Sequence, residues 1–188
     1  VAQLAGFVAE RNNYHHGELN LFDTITKLAQ DYVGSNNIPY LQKDGQFGTR
    51  LMGGKDAANA RYIFTKLSKL TRVIFPKQDD NLLDYVYDEG QRVEPKYYLP
   101  IIPTILVNGC KAGIGTGWST SIPCYNPKDL IKYISSFLNN KELPQLHPWY
   151  KGFTGEIKKK SKYIYESEGI FTKNGKTVTI TELPVMSW

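Results

Sequence analysis

Val1, Leu4, Ala5 and Val8 recur at helical spacing, which predicts a short opening helix. Asn12, Asn13 and the turn Tyr14-His15-His16-Gly17 break it. Leu21, Phe22, Ile25, Leu28, Ala29, Tyr32 and Val33 then form one broad apolar stripe that Gly34 ends. Helix, short glycine-containing turn and amphipathic helix is the outline of a helix-turn-helix. In that motif the second helix faces DNA, and Asn20 and Lys27 lie off the apolar stripe. Two ordinary packed helices produce the same pattern.

Residues 34–60 lack periodicity and are rich in Gly and Asn (Gly34, Asn36, Asn37, Gly45, Gly48, Gly53, Gly54), which predicts a long loop of the kind that carries function. Ile63, Phe64, Leu67, Leu70, Val73 and Ile74 predict a third amphipathic helix over 57–75, closed by Pro76. Residues 97–107 read as strand-like, punctuated by Pro100 and Pro103, and lead into a glycine-rich turn at 108–118. Asn126 and Pro127 are an N-cap and N1 pair for a helix through Leu138. After Pro144 the apolar period becomes two; Tyr163 and Tyr165 alternate with Ile164. Asn174-Gly175 is a hairpin signal, with Thr177–Leu183 as the return strand. The expected class is α+β, helical first and β-rich after the helix near 127–138.

Composition narrows the classes. With 188 residues there is room for one domain, or one domain and part of another. Apolar residues at 41% and aromatics at 13% support a packed core and exclude disorder for the bulk. No apolar run approaches the roughly 18 residues of a membrane span. Cys110 and Cys124 are too few for a disulfide framework, which suits a reducing compartment. The chain lacks an initiator Met and is expected to be part of a longer one. The net charge of +5 mildly favours a polyanionic partner, but it averages unlike stretches. Residues 43–77 carry eight bases and two acids; residues 78–98 carry six acids and two bases; residues 151–176 are basic again. A basic block rich in glycine is suited to phosphate, because glycine allows close backbone approach.

Most chemistries fail on spacing. Gly48–Lys55 has a shifted P-loop spacing, with Asp56 where Ser or Thr must stand. Gly113-Ile114-Gly115-Thr116-Gly117 opens no helix, as a dinucleotide site requires. His15, His16, His147, Cys110 and Cys124 have no zinc spacing, and no carboxylate cluster suits magnesium, so no metal ligand is assigned. Tyrosine remains as a nucleophile. A phenol of ordinary pKa about 10 needs neighbouring positive charge and a clamped phosphate to attack near neutrality. Tyr62 has such neighbours: Arg61 precedes it, and Arg50 and Lys55 lie in the basic block.

Tyr14-His15-His16-Gly17-Glu18, Val33-Gly34-Ser35-Asn36-Asn37, Gly45-Gln46-Phe47-Gly48-Thr49-Arg50, Gly53-Gly54-Lys55-Asp56-Ala57-Ala58, Arg61-Tyr62-Ile63-Phe64, Gly113-Ile114-Gly115-Thr116-Gly117-Trp118 and Glu182-Leu183-Pro184 occur in this order. Together they closely resemble eukaryotic-type DNA topoisomerase II over essentially the whole chain; the bacterial gyrase A subunit is a more distant match. The resemblance implies a winged-helix DNA-gate domain over 1–124 and the incomplete start of a tower domain over 125–188. It implies that Tyr62 attacks a DNA phosphodiester and forms a transient 5′-phosphotyrosyl bond, that Arg61 holds the scissile phosphate, and that His16 stabilises it. His15, Lys27, Gln46, Arg50 and Lys55 would contact DNA, positioning it without reading its sequence. Ile114 would wedge between base pairs and bend the duplex.

Implied partners are double-stranded DNA, a second protomer, and metal-binding and ATPase regions of the same enzyme. Magnesium and ATP would be used by the parent enzyme rather than bound by this segment, and the fragment alone is expected to be inactive. Frequent Lys, Asn and Tyr suit an AT-rich genome, hence a nucleus in a cellular eukaryote or a cytoplasmic factory of a large DNA virus. Two alternatives stand beside this reading: a winged-helix module without chemistry, and a bacterial-type gate subunit. One departure from the family pattern bears on Ile114. Between Asn108-Gly109 and Gly113 the family has two residues and this chain has three, Cys110, Lys111 and Ala112, an insertion expected to shift the wedge.

Overall fold

The computed structural model describes residues 1–188. It is an α+β structure of short helices and two-stranded antiparallel sheets. Packing divides the chain into two interleaved units. One comprises Val1–Gln30, Pro39–Thr49 and Gly54–Ile102; the other comprises Asp31–Ile38, Arg50–Gly53 and Pro103–Trp188. These units and the modules expected over 1–124 and 125–188 are drawn on different criteria.

In the first unit, α1 (Ala2–Arg11) and α2 (Glu18–Ala29) form where the apolar spacing places them. Val1, Ala5, Leu21, Ile25 and Ala29 turn inward into one core with Leu41, Phe47, Ala60 and Ile63. The stripe beyond Ala29 does not continue the helix: at Gln30 the backbone turns extended (φ −66°, ψ 138°). The buried Gln30 amide donates from Nε2 to the carbonyl of Phe47 at 2.8 Å. That bond uses a tertiary partner which an α-helical register would not supply.

The helix expected over 57–75 does not form. Strand β1 (Leu41–Asp44) lies inside the supposed loop and pairs antiparallel with β2 (Phe64–Leu67), matching Leu41 to Leu67 and Asp44 to Phe64. Only Thr71–Ile74, α3, is helical, and it stops before Pro76. Apolar spacing over so short a run is ambiguous between helix and strand, and the long-range partner decides. Of the apolar stripe only Ile63 and Ile74 are buried; Phe64, Leu67, Leu70 and Val73 are more than half exposed. A 3-10 turn over Lys77–Leu82 and the hairpin of β3 (Tyr85–Asp88) with β4 (Gln91–Pro95) complete the unit.

In the second unit the strand expected near 97–107 is replaced at its end by a short helix, α4 (Thr104–Asn108), which buries Val107. Pro100 and Pro103 lack the N–H that a sheet ladder needs, while the Pro103 carbonyl accepts from Leu106 at 2.9 Å and starts the helical turn. Strands β5 (Cys110–Gly115) and β6 (Trp118–Ile122) form a hairpin from the glycine-rich segment. Helix α5 (Pro127–Leu138) begins as predicted, with the Asn126 side chain accepting from Lys128 N–H at 3.0 Å. Two more hairpins follow, β7 (Glu156–Lys159) with β8 (Tyr165–Glu168), and β9 (Ile170–Asn174) with β10 (Thr177–Glu182). The last turns at Gly175, whose φ of +59° suits glycine. Asn37, 5% exposed, ties the unit together: its Nδ2 donates to the carbonyls of Val107, Tyr125 and Trp149, and its Oδ1 accepts from Lys151 N–H.

Candidate active site

In the first unit Tyr62 is 70% exposed, and the residues that bracket the Arg61-Tyr62 pair are anchors: Ala60 is 8% exposed and Ile63 2%, both in the core shared with α1 and α2. Asn59 shapes the turn, its carbonyl accepting from Tyr62 N–H at 2.9 Å and its Oδ1 from Arg61 N–H at 3.1 Å. Arg61 lies with its guanidinium carbon 5.9 Å from the Tyr62 ring centroid. The chain therefore offers one phenol and one guanidinium side by side, on backbone held from both ends. A phenol could attack phosphorus in such an arrangement, with a cation available to charge developing on the phosphoryl oxygens.

The glycine-rich segment upstream is built tightly. Gly48 has φ +98°, and a Cβ there would stand 2.6 Å from the Gly54 Cα and carbonyl oxygen. Gly54 N–H donates to the Thr49 carbonyl at 2.9 Å. Asp56 accepts from Thr49 N–H at 2.8 Å and from Thr49 Oγ1 at 2.6 Å. The Thr49 hydroxyl, followed by its N–H, holds the Asp56 carboxyl below the usual carboxylate range. Asp56 thus closes the loop that presents Lys55, a role sequence reasoning did not assign; Thr49 and Asp56 facing each other across a glycine-rich segment was the available signal. Gln46 Oε1 accepts from Gly48 N–H at 2.9 Å, and its carbonyl accepts from Ala58 N–H, so Gln46 too braces this loop. Lys55 is exposed.

His15 and His16 lie exposed in the turn between α1 and α2. His16 stacks edge-on against Tyr14, with centroids 5.5 Å apart, and its carbonyl accepts from Asn20 Nδ2 at 2.6 Å. Lys27, in the last turn of α2, pairs with Asp23 at 2.6 Å, an exposed i,i+4 bridge of small energetic weight. The expected cations therefore differ in their commitments.

In the second unit Arg50 opens a 3-10 turn over Arg50–Met52. Its Nη2 bonds Glu182 Oε1 at 2.7 Å and the Leu183 carbonyl at 2.9 Å. Glu182 is buried, and its other oxygen accepts from Thr154 N–H and Oγ1. Ile114 is 86% exposed on the β5–β6 hairpin. The additional residue beside it is taken up locally. Cys110 faces Ile122 and Gly113 faces Thr120, so three steps on β5 match two on β6. That is a β-bulge. Beyond it Ile114 faces Ser119 and Gly115 faces Trp118 in unbroken register, so the insertion does not carry into the tip. Nowhere do three or more His, Cys, Asp or Glu side chains group to hold a metal ion, and both Asp56 oxygens are taken by Thr49. No helix is long and apolar enough to cross a membrane.

An exposed Arg-Tyr pair and a glycine-braced basic loop are the features that phosphodiester chemistry through a tyrosine would need. Comparison with known proteins makes the class specific. The family described as the A subunit of DNA gyrase/topoisomerase IV matches residues 1–188, and the chain belongs to that family. It is 53% identical over 193 residues to DNA topoisomerase 2 of Arabidopsis thaliana and 55% identical over 189 residues to DNA topoisomerase 2 top-2 of Caenorhabditis elegans. All of this chain is matched in both cases, but only 13% and 12% of those relatives. The crystal structure of the Plasmodium falciparum topoisomerase II DNA-binding, cleavage and re-ligation domain matches with a TM-score of 0.97 and 54% identity. That match covers 100% of this chain and 26% of the solved one. The chain thus spans about an eighth of the length of its curated relatives.

Proposed function

We propose that this chain is the DNA-gate segment of an ATP-dependent type II DNA topoisomerase, with winged-helix residues 1–124 and the start of a tower domain at 125–188. Tyr62 is the nucleophile. Its Oη loses a proton and bonds to a DNA backbone phosphorus. The P–O3′ bond breaks, the electron pair leaves on the 3′ oxygen, and that oxygen takes up a proton. The product is a 5′-phosphotyrosyl bond and a 3′-hydroxyl, so one phosphoester replaces another and the strand can be resealed. The observation that carries this reading is the placement of Arg61-Tyr62, exposed between buried Ala60 and Ile63. Arg61 neutralises charge on the phosphoryl oxygens, and His16 assists it. His15, Lys27, Gln46 and Lys55 contact the DNA backbone, and Ile114 wedges a base step.

Duplex passage needs two protomers, each supplying one tyrosine. Magnesium and ATP would be used by other parts of the parent enzyme rather than bound by this segment. A nucleus, or the cytoplasmic factory of a large DNA virus, is the proposed location. The test is Tyr62→Phe in the intact protein, with covalent DNA adducts trapped by denaturant. Wild type forms adducts and the variant forms none. Adducts in the variant would overturn the assignment of Tyr62; none in wild type would favour a binding module without chemistry.

A further inference from the structure

Among the basic residues of the glycine-rich block, Arg50 differs in where its side chain goes. Its side chain is 26% exposed and its guanidinium faces the carboxylate of Glu182, whose side chain is 6% exposed. One Nη2 serves two acceptors, Glu182 Oε1 at 2.7 Å and the Leu183 carbonyl at 2.9 Å, and its Nε is buried. Glu182 is saturated in turn. Oε2 accepts from Thr154 N–H at 3.0 Å and Thr154 Oγ1 at 2.8 Å, while Oε1 accepts from Leu183 N–H at 3.0 Å. A phosphate that drew Nη2 away would leave a buried carboxylate without its cation.

The same turn is held a second way. Gly53 has φ +59°, and a Cβ there would stand 2.7 Å from Trp188 Nε1, so the indole lies directly on the glycine. Gly53 N–H also donates to the Arg50 carbonyl at 3.1 Å. Residues 50–53 are thus gripped by groups more than 130 residues away in sequence. The next lysine along the chain, Lys55, is exposed.

We infer that Arg50 is not a phosphate ligand but one half of a latch, and that Glu182 is a positioning residue for the reaction. It fixes the 50–53 turn, the residues that immediately precede Gly54 and Lys55 in the chain. The inference rests on the DNA-gate reading for its catalytic consequence, but its electrostatic half stands apart from that reading.

Two measurements on the intact protein separate the outcomes. The first is noncovalent duplex binding in a Tyr62→Phe background, measured against salt concentration. Each phosphate contact contributes about one unit to the slope of log affinity against log salt. Lys55→Ala is expected to lower that slope by about one, and Arg50→Ala to leave it unchanged. A slope lowered by about one in Arg50→Ala would overturn the latch. The second is the level of trapped covalent adduct with Tyr62 intact. Glu182→Gln is expected to lower it on the order of tenfold to a hundredfold, as small misplacements remote from the chemistry do. Its noncovalent DNA affinity and salt slope should stay at wild-type values, a split that general loss of folded protein would not produce. Arg50→Gln is the second variant should Glu182→Gln fail to fold. It should show the same split, and the double variant should fall no further than the worse single one. Wild-type adduct levels in both singles, or additive losses in the double, would overturn the positioning role. Absence of adduct from wild type would defeat the DNA-gate reading, while the salt slopes would still decide whether Arg50 binds phosphate.

Discussion

Gly48→Ala tests whether the glycine-rich segment is built by close backbone approach. Two separate costs are readable. The backbone at Gly48 has φ +98°, where an L side chain is strained by about 1–2 kcal/mol. The new methyl would also stand 2.6 Å from backbone atoms of Gly54, which cannot swing aside as a side-chain tip does. Forcing such an overlap costs typically about 1–3 kcal/mol. The sum is about 2–5 kcal/mol. Gly90 supplies the control: it has φ +81° in the same unit, and an added Cβ meets nothing within 4 Å. Gly90→Ala should therefore carry only the conformational part. Amide hydrogen exchange reads the local cost without assuming two-state unfolding of a large protein. The reporters are the N–H groups of Thr49, Gly54 and Ala58, bonded to Asp56, Thr49 and Gln46. At about 1.4 kcal/mol per tenfold, Gly48→Ala should speed their exchange on the order of a hundredfold, with a fall in trapped adduct. The Tyr87 and Asp88 amides beside Gly90 should change by no more than about thirtyfold in Gly90→Ala. Equal, small effects at the two positions would refute the close-approach argument.

Glu182 should titrate below the ordinary carboxyl range. Burial raises its pKa, but the Thr154 N–H and hydroxyl and the Arg50 guanidinium outweigh burial and lower it. A carboxylate depressed in the folded state adds stability above its unfolded value near 4.5, and that stability is lost as pH falls through the lower folded value. An NMR midpoint for the Glu182 carboxyl at or above 4.5 would contradict this. Cys124 is buried, and desolvation pushes its thiol up to about 11; Lys111 opposes the shift. At a pH of about 8 iodoacetamide should label Cys110 well before Cys124, as mass spectrometry of the two peptides would reveal. Asn37→Ala strands three carbonyls and the Lys151 N–H. It should cost about 3 kcal/mol or more, seen as faster exchange around Val107 and Lys151, and unchanged exchange there would be inconsistent with the bonds described.

Much of the candidate site was legible as words in the chain: the Arg61-Tyr62 pair, the His15-His16 turn, the glycines of the basic block and Ile114. Its geometry was not. Asp56 stands out in the sequence only as a residue that spoils a P-loop, yet it closes the loop by accepting twice from Thr49. Arg50 reads as a cation in a basic block, and only its meeting with Glu182 and Leu183 at the far end of the chain reveals a different commitment.

Local chemistry was sufficient wherever the deciding partner is a near neighbour. The Asn126 side chain caps its own helix two residues on, the α1 and the first part of the α2 periodicity follow from one face meeting a core, and Asn174-Gly175 turns its own hairpin. It failed over 57–75, where the same apolar residues suit a helix or a strand and the choice belongs to β1. It failed near 97–107 because helix or strand there depended on the capping role of Pro103. The tertiary structure also decided that Ala60 and Ile63 sink into the core of α1 and α2 while Tyr62 stays in solvent. The physical reason is common to these cases. A residue's side chain sets its local preferences, but burial and long-range pairing depend on what the rest of the chain brings to it.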